Sequence, residues 1–348
     1  MSLNKSKIFE ILKKAFGVII IPLLCFVIME IVCLANGRTL FSGGAPTFQS
    51  FTRGITYIVL LSLGVSINMH TGRFDFATGA TMVISGVVGA QFALATGMGP
   101  IGMCLCAVVV GVVCGAISGT LYVVTKLPPM IIGLTMTLIL EGVTAIITDG
   151  CKPIKFGTDP SYYQFTINFW ASLVIVVLAL AVTVILFSYT KFGYDYSALQ
   201  TGQKISVNTG INEKKNAIFC YMIAGGLFGV AGALSVMSTN GITPTYNFST
   251  IAKMFTCFLP LFFGGFAAKY INKQLGIFVG CIAYEFIIIG FGQLAAVDVA
   301  FTPDAQKVVE AVILVLFLIY TTNEHAIQEF VMLKNLRKKL AEKKAAAE

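Results

Sequence analysis

The sequence predicts an all-α, polytopic membrane protein of about ten transmembrane helices, with both termini inside and an inverted internal repeat. Three observations carry this expectation: a composition too apolar for water, apolar runs of bilayer length, and a one-sided distribution of basic residues. The chain has 348 residues, of which 57% are hydrophobic and 11% charged, and its mean hydropathy is +0.86. Soluble domains are roughly half apolar and about a quarter charged. A hydrocarbon core of roughly 30 Å takes about 20 apolar residues per helix, so ten spans and short loops fit within this length. The same numbers exclude a soluble enzyme, a disordered chain and a disulfide-stapled secreted domain.

Apolar runs punctuated by Gly, Pro and charge place the spans near 15–36, 53–69, 75–96, 100–124 and 129–148, then 168–189, 216–239, 251–267, 274–295 and 307–322. The first follows Lys5, Lys7, Lys13 and Lys14 without a small-residue cleavage site, so it reads as an anchor. With the N-terminus inside, the inner loops and ends hold 18 of the 24 basic residues; Arg38, Arg53, Lys152, Lys155, Lys253 and Lys307 fall outside. That bias supports the span count and the orientation together. It divides the chain into a cytoplasmic segment 1–14, a membrane domain 15–322 with an inner loop 190–215, and a basic cytoplasmic tail 323–348.

The net charge of +8 follows from this topology, and no nucleic-acid partner is expected. The nine cysteines lie mostly in apolar stretches without a CxxC pair, as small buried hydrophobes do. His70 and His325 are the only histidines, too few and too far apart for a zinc site. Neither metal nor cofactor is expected. Gly111, Gly115 and Gly119 form overlapping GxxxG steps, nearly repeated by Gly225, Gly229 and Gly232, and are expected to pack helices closely.

The most informative feature is a self-similarity at an offset of 172 residues. Residues 68–82 align without gaps on 240–254, with identities at Asn68/Asn240, Thr71/Thr243, Phe76/Phe248, Thr78/Thr250, Ala80/Ala252 and Met82/Met254. By the span count the first stretch enters its helix from the inner side and the second from the outer side, so the repeat is inverted. Inverted repeats with Gly, Pro and polar residues at membrane depth mark transporters, whose broken helices line the substrate path; the alternative reading is chance similarity between short stretches.

Glu30, Glu141, Glu285 and Glu310 fall within or at the ends of apolar runs, where each must face protein or water. Glu285 is the deepest, and a hydrogen-bonded structural carboxylate is preferred over a proton relay. Glu310, Lys307 and Asp304 are expected to pair at the outer rim. No GxxxxGK[ST] stretch occurs, so ATP-driven work requires a partner. The inner loop 190–215 combines basic residues with Tyr194, Tyr196, Leu199, Ile205 and Ile211. It reads either as a solvated connector or as a short helix docking into a groove on another protein.

At these places a resemblance becomes specific. Gly72-Arg73-Phe74-Asp75-Phe76-Ala77-Thr78-Gly79 resembles the G-x-x-D-[LF]-[SA]-x-G signature of the permease subunits of ABC importers for ribose, xylose and galactosides. Gly193, Ala198, Leu199, Gly210, Ile211 and Asn212 are similar to that family's inner loop, and Leu134 to Gly142 to its fifth span. Gln200, Gly202, Lys204 and Ile205 depart from the family's usual run. The resemblance implies a sugar pathway between two permease subunits in the cell membrane, fed by an extracytoplasmic binding protein and driven by a cytoplasmic ATPase that engages the inner loop.

On that reading Asn68, Thr71, Gly72, Asp75, Thr78, Gly79, Asn240, Thr243, Asn247 and Thr250 are the pathway candidates, and a neutral, polar lining is expected for a solute that presents hydroxyls. Asp75 has two open roles, lining the path or fixing the local turn. The rival classes are an ion-coupled secondary transporter or channel, supported by Glu30 and Glu285, and an intramembrane enzyme, for which the sequence holds no nucleophile–base or HExxH pattern.

Overall fold

The computed structural model describes residues 2–156, 159–297 and 303–322. The basic tail from 323 onward, with His325, lies outside the described residues, as does the side chain of Asp304. The chain is almost wholly helical. Its first half holds α1 (Ser2–Ala35), α2 (Ala45–Met69), α3 (Thr78–Thr96), α4 (Gly99–Thr125) and α5 (Pro129–Ile147). A two-residue strand β1 (Ile154–Lys155) and a short α6 (Ser161–Ile167) lead into α7 (Phe169–Tyr189), α8 (Lys191–Thr201), α9 (Gln203–Asn208) and α10 (Glu213–Ser238). Then come β2 (Gly241–Ile242), α11 (Ala252–Phe255), α12 (Phe258–Ala267), α13 (Lys273–Ala295) and α14 (Pro303–Thr322). β1 and β2 pair antiparallel, Ile154 opposite Ile242, a contact the apolar pattern gave no sign of.

Local chemistry sets the helix ends. Proline stands in the first turn of α2, α4 and α5, where its missing N–H costs nothing. Gly97 closes α3 in the left-handed conformation, φ +68°, its N–H bonded to the Ala93 carbonyl. The Asn168 side chain caps α7 by accepting the Trp170 N–H.

Eight helices among the described residues are long and apolar enough to cross a membrane. The segment expected as an eighth span is helical but broken into α11 and α12 around Thr256 and Cys257. The segment expected as the tenth is α14, which carries Asp304, Lys307 and Glu310 in its first turns and belongs to a separate unit from residue 298 onward. Within α14 the Gln306 amide donates to the Glu310 carboxylate at 2.6 Å.

In the unit 1–297, glycine decides how the helices pack. A methyl group on Gly111 would overlap the Gly225 carbonyl oxygen, one on Gly115 the Tyr221 carbonyl, and one on Gly229 the Ala107 carbonyl. α4 and α10 therefore touch backbone to backbone, as the glycine spacing predicted. Gly232 brings α10 equally close to α3 at Met82. On the opposite face of α4, Ile101, Leu105, Val109 and Val113 recur every fourth residue and are 52–66% exposed. Such an apolar stripe suits lipid and not water. A cluster of Ala77, Ala80 and Ile84, Cys114, and Ile132, Met136 and Leu140 seats α5 on α3 and α4.

Gly111→Val or Gly225→Val forces this seam apart and is expected to abolish monodisperse protein after detergent extraction. Gly142→Ala, where a methyl group meets nothing within 4 Å, leaves the yield unchanged. Size-exclusion profiles check both; wild-type behaviour of Gly111→Val refutes the seam.

Candidate functional site

The two matched stretches become two non-helical turns that meet. The first follows α2. Gly72 takes φ +74°, the Arg73 N–H returns to the Asn68 carbonyl at 3.0 Å, and the Asp75 carboxylate accepts the Ala77 N–H at 2.9 Å. Thr71 and Thr78 donate their hydroxyls to the Asn68 and Asp75 carbonyls, both at 3.0 Å. Of the two roles left open for Asp75, this geometry displays the turn-fixing one. Asn68, Thr78 and Gly79 are buried, Thr71 and Asp75 are half-buried, and Gly72 is exposed.

The second irregular stretch, from Asn240 through β2 to α11, is more contorted. Asn240, Asn247 and Phe248 hold φ of +53°, +66° and +61°, which only tertiary contacts can sustain in non-glycine residues. At Phe248 that contact comes from Glu141, 3% exposed in α5. Its carboxylate accepts the Phe248 N–H at 2.9 Å, the Thr250 N–H at 3.1 Å and the Thr250 hydroxyl at 2.7 Å.

The same face of α5 also holds the first turn. The Thr137 hydroxyl lies 3.1 Å from the Phe76 carbonyl oxygen, and a methyl group on Gly133 would stand 2.6 Å from the Phe76 nitrogen. Gly133, Thr137 and Glu141 are four residues apart, so they stack along one stripe about 12 Å long. The turns touch where Gly79 abuts the Thr250 carbonyl, leaving no room for a side chain on Gly79.

Two cavities adjoin the second turn and share Ser235 and Lys253. One, of 550 Å³, lies between α2, α10 and α13, bordered by Ser50, Arg53, Tyr57, Glu285 and Gln293. The other, of 690 Å³, is bordered by Lys155, Thr245 and Ser249 and, among the pathway candidates, by Asn240, Thr243 and Thr250. Asn247 is exposed in the turn but borders neither, and no candidate from the first turn reaches either cavity. Arg53, Lys155, Lys253 and Glu285 give these walls a charge that the expected neutral lining lacks. Glu285 is 5% exposed and packs over Gly54. Glu30, by contrast, accepts the Leu40 N–H at 2.9 Å and fastens the loop after α1.

The inner-loop candidates form a compact unit rather than an open connector. α8 turns Gly193, Tyr196 and Leu199 inward, with Gly193 against the Phe187 carbonyl. The Ser206 hydroxyl bonds the Ala198 carbonyl at 2.8 Å and ties α9 back onto α8. Gly210, φ +94°, closes the turn, Ile211 donates its N–H to the Ser206 carbonyl, and Asn212 caps α10 through the Lys215 N–H. The Tyr196 hydroxyl reaches the Ile67 carbonyl at 2.8 Å, joining this unit to α2 one residue before the first turn begins. Tyr194, Ile205 and Val207 remain 43–72% exposed. His70, at the end of α2, has its Nδ1 2.8 Å from the Ser66 carbonyl oxygen; desolvation, together with the Lys273 ammonium, lowers its pKa from the ordinary histidine value.

Residues 47–319 match the model of a family described as the permease component of a branched-chain amino acid transport system. The chain belongs to this permease family. The D-allose transport system permease protein of Escherichia coli is 28% identical to this permease over 288 residues, 74% of this chain and 86% of that one. The ribose import permease protein of Bacillus subtilis is 26% identical over 53% of this chain and 59% of its own. The galactose/methyl galactoside import permease protein of Haemophilus influenzae is 22% identical over 90% and 96%. No solved structure matches the permease significantly. Family and apolar helices together make it a multi-pass protein of the cell membrane.

Sequence reasoning missed the function of Glu141 in this permease, although Thr137 and Glu141 at four-residue spacing in an otherwise apolar helix were a readable sign of a polar stripe. Replacing Glu141 by Ala strands the buried N–H and hydroxyl of Thr250 and the half-buried Phe248 N–H, and is expected to cost about 3 kcal/mol. A thermal-unfolding scan of the purified permease should show a midpoint lower by several degrees, with Glu141→Gln intermediate. An unchanged midpoint for Glu141→Ala refutes the anchoring role.

Proposed function

We propose that this permease is the translocation subunit of an ATP-driven importer of a monosaccharide delivered by an extracytoplasmic binding protein. Its ten helical segments cross the membrane with both termini inside; segment 1–14, domain 15–322 and tail 323–348 keep their expected roles. Hydrolysis takes place in a separate cytoplasmic ATPase, and a second permease subunit completes the pathway. The relatives' names, which speak of allose, ribose and galactosides, support the cargo class.

The observation that carries the mechanism is the meeting of the two matched turns along one stripe of α5. If the halves face opposite sides, one turn closes the inner end of the passage while the other borders the outer cavities, and exchanging those states is alternating access. Asn240, Thr243, Thr250 and, in the exchanged state, Asn68, Thr71 and Thr78 offer the hydroxyls and amides that a sugar's hydroxyls bond. Gly72 and Gly79 let backbone approach backbone, Asp75 fixes the first turn, and Asn247 shapes the second. Movement of α8 passes through Tyr196 to the Ile67 carbonyl and so to the first turn.

Complete transporter in proteoliposomes should accumulate cargo with internal ATP, and without a proton or sodium gradient. Accumulation that needs a gradient and no ATP overturns the reading. Exposed Tyr194 and Ile205 are the expected ATPase contacts, so Tyr194→Asp and Ile205→Asp should leave the permease in the membrane while weakening ATPase association about tenfold or more. Undiminished co-purification and activity in both variants refutes that contact.

A further inference from the structure

Resting on the importer reading above, we propose that the cargo bears a carboxylate on a sugar-like frame, met by Lys253 at the outer end of the passage and by Arg73 at its inner end.

Two independent observations lead there. The first is where the outer cations stand. In the proposed orientation only six basic residues lie on the outer side, and three of them, Arg53, Lys155 and Lys253, border the two cavities. Lys253 borders both, so it stands at their shared edge. Among the described residues neither Lys155 nor Lys253 lies within 4 Å of a carboxylate, and Glu285 is the sole acidic residue on either wall. Cavities with apolar backing concentrate such a field and raise the local concentration of anions.

The second observation lies at the closed turn. Arg73 is 3% exposed, yet its Nε and Nη1 have no hydrogen-bond partner. Beside it Asn68, 1% exposed, leaves both its amide oxygen and its amide nitrogen without one. The Tyr122 ring, 5.7 Å from the guanidinium carbon, is an aromatic face and supplies no charge. A buried guanidinium with two nitrogens unbonded is unfavourable, and a two-oxygen anion is a ligand its planar fork fits.

The repeat sharpens the point. Arg73 aligns with Thr245, and Lys253 with Thr81, so each half carries one cation at a column where its counterpart carries a hydroxyl. A neutral sugar meets such cations only as hydrogen-bond donors, whereas a carboxylate also meets their charge. A carboxylate held by Lys253 in the outward-open state gains Arg73 when the first turn opens, which gives the acid group a cation in both states.

The test is uptake by the complete transporter, with its ATPase and binding protein, of labelled D-galacturonate and D-gluconate beside D-galactose, D-ribose and L-leucine. The expected result is uptake of the sugar acids, reduced about tenfold by Lys253→Gln and by Arg73→Gln, with Lys253→Arg retaining it. Because Arg73→Gln alters a buried site, its membrane level is measured alongside; should it be lost, exposed Lys253 decides alone. Uptake of neutral sugars that neither glutamine variant changes overturns the carboxylate and leaves the importer standing. Uptake of both classes supports it if the variants reduce only the acids, and overturns it if they reduce both equally. L-leucine as sole cargo overturns the sugar frame while upholding the carboxylate; uptake of none of the five overturns importer reading and inference together.

Discussion

A backbone that leaves the helix among apolar side chains must find acceptors for its N–H groups, and here one carboxylate supplies them. Glu141 receives two N–H groups and one hydroxyl from the second turn, and so holds the left-handed Phe248 and its neighbour Thr250 in place. The same helix secures the first turn through Thr137 and Gly133. A single rigid element thus sets the distance between two irregular segments that lie 172 residues apart in the chain. Close glycine contacts then fix α3, α4 and α10 around them. The order of dependence runs from the carboxylate to the turns, from the turns to the cavities, and from the cavities to the passage of a solute.

The unit formed by α8 and α9 has a different logic. One side is fastened inward by Tyr196, Leu199 and Gly193, and the other presents Tyr194, Ile205 and Val207 to solvent. These inward contacts tie the unit firmly to the α2 end, because the Tyr196 hydroxyl bonds a backbone carbonyl rather than a flexible side chain. The turn beyond Ile67 is hinged by Gly72, whose positive φ requires no strain. The exposed surface of this unit and the first turn are therefore connected through a short run of covalent and hydrogen-bonded steps.

Much of this was legible in the residues. Ten apolar runs located every long helix, GxxxG spacing identified the α4–α10 seam, and six repeated identities singled out the two turns that meet. What stayed hidden depends on partners distant in sequence. Glu141 stood as one more acid in an apolar run because its ligands lie 107 and 109 residues away. The break at Thr256 and Cys257 was invisible because the residues around it are as apolar as a helix requires. The two-residue β pair is too short to show an alternation. The charge on the cavity walls was misjudged for a different reason: Arg53, Lys155 and Lys253 were counted as loop-end residues, and only the folded chain turns them toward shared space.

The contact between Gly79 and the Thr250 carbonyl gives this passage a mechanical asymmetry. With backbone already against backbone, the two turns have no travel left toward each other, while hydrogen bonds with Thr137 and Glu141 of α5 resist their separation. The contact is therefore a hard limit to closer approach, and any rearrangement of the two turns has to begin by moving them apart.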